Sequence, residues 1–435
     1  MPPGPTHAPE SLGNDLHALA ARLYPIPRSI TGDGVRESLR ILAERVPIRI
    51  HEVASGTQVF DWTVPKEWVL REAHLTAPDG RRVADASRHS LELLNYSAPF
   101  RGRIPLAELR KHLFSLPAQP DLIPYRTSYY ETRWGFCLPH SVVESLPEGF
   151  YDVVIDTELV DGSITYGELF LPGESADEVL FSTHCCHPSL ANDNLSGMVV
   201  QTALAARLSS RARRRLGYRF LYLPGTIGAI TWLATRSELA PRIRHGLVLA
   251  GLGAPGTFHY KKTRDGNRAI DREVPRALAG IGEALAVEEY LPFGYDERQF
   301  NSPGIALPVG CFSRVPYGRY PEYHTSADNL DFIRPDALAG AVRALAALVE
   351  RLEAREVYLN LSPRGEPQLG RRGLYRTIGG DDAGRERELA LLWILNLSDG
   401  DHSLEEIAER SGISLSRVSE AAKELVQARL LAAPK

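Results

Sequence analysis

Residues 177–211 read DEVLFSTHCCHPSLANDNLSGMVVQTALAARLSSR. DEVLFST is an apolar run of strand length, and the segment from Asn194 onward carries a helical period. The same alternation continues through YRFLYLP (218–224), TIGAITWLATRSEL (226–239) and HGLVLAGLG (245–253). Strand, helix, strand, helix, strand is the pattern of a mainly parallel sheet with helices on its faces. GIALPVGCF (304–312) reads as a further strand, and PDALAGAVRALAALVERLEAR (335–355) as a long amphipathic helix with proline near its start. Two histidines, two cysteines and Asp193 fall at the C-terminal end of the first strand. Open α/β sheets collect ligands at that edge.

Working outward, residues 60–117 hold strand-like runs and an Asp79-Gly80 turn, with little helical period before LAELRKHL. The expected plan is a mainly parallel α/β domain over 1–59 and 136–360, interrupted by a small β-rich domain over 60–135. Residues 361–388, rich in glycine and charge, read as a linker. Residues 389–435 fit a winged-helix unit, with Ser403 as an N-cap and Gly412 in the turn. On its last helix Arg417, Lys423 and Arg429 face Glu420 and Glu424. That leaves little surplus charge for phosphates, so no nucleic-acid partner is expected.

The 435 residues, 43% of them apolar, can bury a large core and suggest more than one domain. A formal charge of -4 with both signs interspersed gives no field for steering toward nucleic acid or an acidic membrane. No apolar run is long enough to cross a bilayer, and the first residues, MPPGPTHAPESLGND, have no basic start or hydrophobic stretch. A cytoplasmic location without a membrane partner is the expectation. Four cysteines, two of them neighbours, do not make a disulfide framework.

Several side chains admit two readings. His184 and His187 are either polar residues closing a strand or metal ligands. Cys185 or Cys186 beside a histidine suits a thiol nucleophile oriented by Asp193, although adjacent residues on a strand face opposite ways and a buried thiol is inert. The cluster HYKKTRDGNR (259–268) is either a solvated loop or a holder of a substrate carboxylate or phosphate. Tyr129, Tyr130, Arg133 and Trp134 belong either to a domain junction or to a pocket wall.

STHCCHPSLANDNLSG, LPGTIGAI, YKKTR, GYDERQFNSPGIALPVG and YPEYHTSADNLDFI, taken in order, resemble the aminopeptidase-like family often encoded beside polysaccharide-biosynthesis genes. The resemblance extends to YPIPRSITGDGVRESL (24–39), VPKEWVLREAHLTAPDG (64–80), IPYRTSYYETRWGFC (123–137) and the winged helix, and so covers nearly the whole chain. It implies the fold of the co-catalytic zinc aminopeptidases. Those enzymes hold two zinc ions on a shared aspartate, with histidines, further carboxylates and a glutamate base. Carried over by motif, His184 is the first histidine, Asp193 the bridge and His324 the last histidine. Where relatives read Pro-Glu-Thr-Ile-Gly this chain has Gly225, and where they carry Gly-Asp after the third strand it has Ala254.

Two carboxylates are thus absent from an otherwise complete set of pocket motifs. One zinc ion on His184, Asp193 and His324, joined by His187, still has enough ligands for a catalytic site. Asp296, Glu297 and Glu322 are the carboxylates to examine as substitutes, and Cys186 stands where many relatives place an aspartate that orients the first histidine. The resemblance also implies that Lys261, Lys262, Arg264, Arg298, Tyr129, Tyr130, Arg133 and Tyr323 approach the substrate. The reading that follows is a repurposed zinc-aminopeptidase fold. It would bind a small amino-acid-like or acylated metabolite and carry out non-peptidase, amide-type chemistry in a biosynthetic pathway. The alternatives are a one-metal amidohydrolase, or a binding module recruiting a partner through its winged helix. Either the inserted or the winged-helix domain would support a homo-oligomer.

Overall fold

The apolar runs read as strands pair into one eight-stranded sheet. Its order is Arg49–Ala54, Ser163–Leu171, Gly217–Leu223, Glu178–His184, Ile243–Leu249, Val309–Ser313, Phe258–Lys261 and Leu285–Glu288. The four middle strands are mutually parallel. Val179, Leu180 and Phe181 are fully buried, as a strand covered on both faces requires. The flanking strands Ser163–Leu171 and Phe258–Lys261 pair antiparallel with this centre. The computed structural model describes residues 9–375 and 382–432. It divides into a unit of residues 1–212 and 217–347 and a second of 213–216 and 348–435.

Sheet register places the candidate residues side by side. His184 pairs with Leu223, so the turn at Pro224, Gly225 and Thr226 leaves the sheet next to it. The third parallel strand ends at Leu249, and the chain continues to Gly253 and Ala254 at the same edge. Helix Ser196–Ser209 follows the 184–195 loop with most of its residues buried.

The β-rich insertion is a four-stranded antiparallel sheet in the order Arg82–Asp85, Glu67–Thr76, Phe150–Val160, Phe100–Pro105. Gly80, in the Asp79-Gly80 turn, has φ 81°, which glycine adopts without a Cβ penalty. This sheet reaches Val160, beyond the boundary at 135 expected from sequence. FYDVVIDTELV alternates with period two, and Tyr151, Val153 and Ile155 point into the core. Glu67 pairs with Val160 and Thr76 with Asp152, making that segment a central strand of the insertion.

The second unit has a three-stranded sheet of Asp399–Ser403, Val357–Asn360 and Leu431–Ala432, with helices Asp382–Leu397, Leu404–Ser411 and Leu415–Gln427. Ser403 caps its helix reciprocally with Glu406, and Gly412 ends it at φ 72°. The stretch 361–388 is not a linker throughout. Leu369 and Leu374 are buried in this unit's core and the first helix begins at Asp382. Glycine and charge concealed two anchoring leucines, while 376–381 lies outside the described residues. Among the described residues no helix is long and apolar enough to cross a membrane.

Candidate metal centre

His184 ends its strand, and the chain returns to it nine residues later through an irregular turn, Ala191–Leu195. The backbone at Asp193 and Asn194 is non-helical there, which frees the Asp193 side chain from the following helix and aims it back at the strand end. Asn194 ties the turn down. Its amide nitrogen donates to Thr183 Oγ1 at 2.7 Å and to the Leu249 carbonyl at 3.0 Å. Asp328 holds the turn from the other side, accepting from the backbone N–H of Asn192 at 2.6 Å and of Asp193 at 3.0 Å. Burial pushes the Asp328 carboxyl up to about 7, with Asp193 adding to the rise against its backbone donors.

Asp193 is fully buried and meets ring nitrogens on both oxygens. Oδ1 lies 2.9 Å from His184 Nε2 and accepts from the Tyr295 hydroxyl at 3.1 Å. Oδ2 lies 3.0 Å from His324 Nε2 and 3.5 Å from His187 Nδ1. His184 Nε2 and His187 Nδ1 are 3.2 Å apart. Burial opposes ionisation of Asp193, yet the imidazoles of His187 and His184 hold it well below the usual carboxylate range. His184 and His324 are both lowered by burial, with Asp193 opposing, and so favour the neutral ligand form.

His184, His187 and Asp193 offer ligand atoms that all lie within 4.8 Å of one another. Sequence placed His324 ahead of His187 in the ligand set. The structure gathers His187 with His184 and Asp193, and sets His324 on the second carboxylate oxygen. His324 has φ 56°, a left-handed backbone uncommon outside glycine and found preferentially where function constrains a residue. Its carbonyl accepts from Tyr125 N–H at 2.7 Å, and the Tyr125 ring packs edge-on against both His187 and His324. The loop carrying Tyr125, between the inserted sheet's strands Phe100–Pro105 and Phe150–Val160, thereby clamps the last histidine.

Neither of the two expected carboxylates is present, and of the two positions only Gly225 lines the cavity. Gly225 has no side chain, and Ala254 contributes a backbone N–H that donates to Asn192 Oδ1 at 3.0 Å. Facing Gly225 is Asp296, 1% exposed, with neither carboxylate oxygen hydrogen-bonded among the described residues. Burial, then the neighbouring Glu297 charge, pushes its carboxyl up to about 8, against Arg298. Glu297 is itself engaged by Lys261 at 2.5 Å. A cavity of about 230 Å³ lies between the walls, lined by His184, His187, Asp296, His324 and the aromatic rings of Tyr295 and Tyr323, among others.

The structure separates the remaining expected residues by position. Tyr323 lines the cavity and stacks on His324 at 3.9 Å. Lys261 turns inward, donating to the carbonyls of Leu291 and Phe293 as well as pairing with Glu297, so it braces a loop. Lys262 pairs with Glu289, and Arg264 donates to the Asn301 carbonyl. Arg298 reaches Asp296 only through its field. Tyr129 bonds to Asn95 and Tyr125, and Tyr130 packs on Trp62. Arg133 pairs with Glu131 over the Phe114 ring. Glu322 caps a turn through its carbonyl, which accepts from Thr325. Cys186 is buried, donates weakly to the Gly225 carbonyl, and is pushed up to about 12 by burial, so it supplies no thiolate at neutral pH. Cys185 is raised further for the same reason.

Sequence reasoning passed over Arg28, Tyr125, Asn194, Tyr295 and Asp328. Arg28 is fully buried and its Nε donates to the His187 carbonyl at 2.9 Å, fixing that ligand's backbone. All five lie inside the motif stretches, which was the available signal.

Residues 17–355 match a family described as a domain of unknown function, DUF4910, and residues 356–433 match a winged helix-turn-helix family. The chain belongs to the DUF4910 family. A Clostridium acetobutylicum protein, provisionally named a polysaccharide biosynthesis protein with aminopeptidase-like domain, is 44% identical over 419 residues, 96% of each chain. A crystal structure from the same organism, provisionally called a peptidase, superposes with TM-score 0.81 at 42% identity, over 98% of this DUF4910 chain and 97% of that one. The zinc aminopeptidase of Bacillus subtilis superposes with TM-score 0.57 at 15% identity, over 78% and 94%, a likeness of fold. The winged-helix match takes in strand Val357–Asn360, in keeping with the core described above.

Proposed function

We propose that this protein is a one-metal amidohydrolase acting on a small, uncharged amide in polysaccharide biosynthesis. The observation that carries the reading is the convergence of two imidazoles and one ionised carboxylate on an open cavity. Zinc bonds to nitrogen and oxygen are about 2.0–2.2 Å long, so adjacent tetrahedral ligand atoms stand about 3.3 Å apart. His184 Nε2 and His187 Nδ1 stand 3.2 Å apart, and with an Asp193 oxygen the three donor atoms all lie within 4.8 Å of one another, which suits that donor set. A metal ion held there supplies Lewis-acid polarisation of the amide carbonyl and an activated water.

The chain's own residues define the rest. Asp193 stays ionised and orients His184 and His324 through separate oxygens, while Tyr295 fixes one of those oxygens. Phe293, Tyr295, Tyr317 and Tyr323 give the cavity aromatic walls, and among the described residues no lysine or arginine lines it. That favours an uncharged group over a carboxylate or phosphate. Without carboxylates at Gly225 and Ala254 a second zinc lacks ligands, so ordinary two-zinc aminopeptidase activity is not part of the proposal. The Clostridium relative's name supports the biosynthetic setting.

Calorimetric titration of the metal-free protein with zinc, followed by assays on N-acyl amino sugars, simple N-acyl amides and aminoacyl anilides, tests the reading. One tightly bound ion per chain and hydrolysis of an N-acyl substrate are expected. No zinc binding, no hydrolysis across the panel, or two ions with ordinary aminoacyl-anilide turnover would overturn it.

A further inference from the structure

We propose that Asp296 is the proton-transferring carboxylate of this site, reaching from a different loop into the space that a side chain at Gly225 would occupy. This rests on the amide-hydrolysis reading above and adds a residue to it. A Cβ built on Gly225 would lie 3.5 Å from Asp296 Oδ1 and 3.7 Å from Oδ2, and 3.2 Å from the Cβ of His184. The direction lost at Gly225 therefore points at the Asp296 carboxylate and passes beside the first histidine. Asp296, Gly225, His184 and His187 border one cavity.

The state of that carboxylate is the second observation. A carboxyl group taken out of water without a hydrogen bond is costly, and most buried polar atoms have partners. Asp296 has none on either oxygen among the described residues, although Asp193 across the cavity has four close neighbours. The loop that presents it is fixed independently. Lys261 Nζ reaches the Leu291 and Phe293 carbonyls and Glu297, and the Tyr317 hydroxyl donates to the Phe293 carbonyl at 2.5 Å. Packing thus keeps Asp296 where hydrogen bonding does not. Its unpartnered oxygens are closed to bulk solvent, so only a group brought directly against that wall can bond them.

The proton balance is simple. Asp296 begins with its proton in place. As the water oxygen bonds to the amide carbon and the carbon–nitrogen bond breaks, Asp296 gives that proton to the leaving nitrogen and one proton of the added water returns to it, so the carboxyl ends as it began. Acid and amine leave together, and no further reactant is consumed.

Three full-length variants, D296N, D296A and G225E/D296A, test this with two probes. Thermal melting of the metal-free protein asks whether Asp296 is structural. D296N should melt at or above the wild-type temperature, because it removes an unpartnered buried acid, whereas a structural aspartate would lower the melting point. Zinc-loaded protein titrated with acetohydroxamic acid asks whether the carboxylate faces the ligand. D296N should bind the probe about tenfold more weakly or worse, the scale of one lost charge-assisted hydrogen bond. Zinc stoichiometry should be unchanged. G225E/D296A should recover most of that affinity relative to D296A, because the new carboxylate enters the same space from the other loop. On any N-acyl amide that the wild type cleaves, turnover should fall about 100- to 10,000-fold in D296N and D296A. KM should change little, and the double variant should recover part of the loss. A lower melting point for D296N, unchanged probe affinity, or no recovery in the double variant would overturn the assignment. If the wild type cleaves no amide tested but the melting and probe results hold, the amide reading fails and the placement of Asp296 stands.

Discussion

Asp193 and Asp296 are both buried carboxylates at one cavity, Asp296 in its lining and Asp193 behind the histidines that line it, and the chain treats them oppositely. Asp193 is met by His184, His187, His324 and Tyr295, each from a different turn or loop position, and is held ionised. Asp296 is stripped of partners and pushed toward its neutral form by burial. The first arrangement is that of a ligand-holding wall, where every donor has a fixed mate. The second is that of a reactive wall, where the missing partner is supplied by whatever enters. Gly225 leaves the second wall without a side chain of its own.

Removing the hub of the first wall should have the largest effect. Asp193→Ala takes away the shared acceptor of three imidazoles and a tyrosine, so zinc affinity should fall at least about 100-fold, as expected for losing a ligand that also orders the others. Calorimetric zinc titration measures it. Asp193→Asn, which keeps the shape and loses the charge, should lie between the two. Equal zinc affinity in all three proteins would mean that the two walls do not differ in the way described.

Lys261→Met attacks the brace behind the second wall. Lys261 is the partner of fully buried Glu297, and breaking a buried ion pair from one side costs about 3–5 kcal/mol. Urea unfolding should show that loss. Because the loop also carries Asp296 and Tyr295, binding of acetohydroxamic acid should weaken in the same variant. Replacing both partners, Lys261→Met with Glu297→Leu, should restore much of the stability, since no charge is then left unpaired. A single variant as stable as wild type would remove the brace from the account.

The sheet was legible because its strands are apolar runs of fixed length separated by helical periods, a local signal that survives without knowledge of packing. The first wall was legible for a similar reason: His184, His187 and Asp193 lie within ten residues of one another. His324 required motif matching, since 131 positions separate it from Asp193. The second wall could not be read that way. That Gly225 faces Asp296 follows from the direction of an absent side chain, and direction across 71 residues is a property of the folded chain. The positively charged stretch 259–268 misled for a related reason. Charge marked its residues as available, while folding spent Lys261 on Glu297 and Lys262 on Glu289. The end of the inserted sheet was missed at 135 because Phe150–Val160 pairs with a strand some eighty residues earlier.

The smallest expected effect separates the two carboxylates by pH, read on metal-free protein. For Asp296 the folded value is raised to about 8, whereas an unperturbed aspartate titrates near about 3.9. Between those values the folded chain keeps a proton that the unfolded chain has lost. Stability therefore falls as pH rises through that window, by at most about 1.4 kcal/mol per unit for one proton. Below the window both states hold the proton and above it neither does, so the contribution to the slope vanishes at each end. Asp193, held well below the usual range, has the opposite sign. Its contribution is present above the unfolded value and is lost as pH falls below it. Urea unfolding at several pH values between 5 and 8 should give a slope that is less negative in D296N than in wild type, since Asp328, His184 and His324 contribute alike to both proteins. An identical slope in both proteins would mean that Asp296 is solvated in the folded chain, and the contrast between the two walls would then rest on geometry alone.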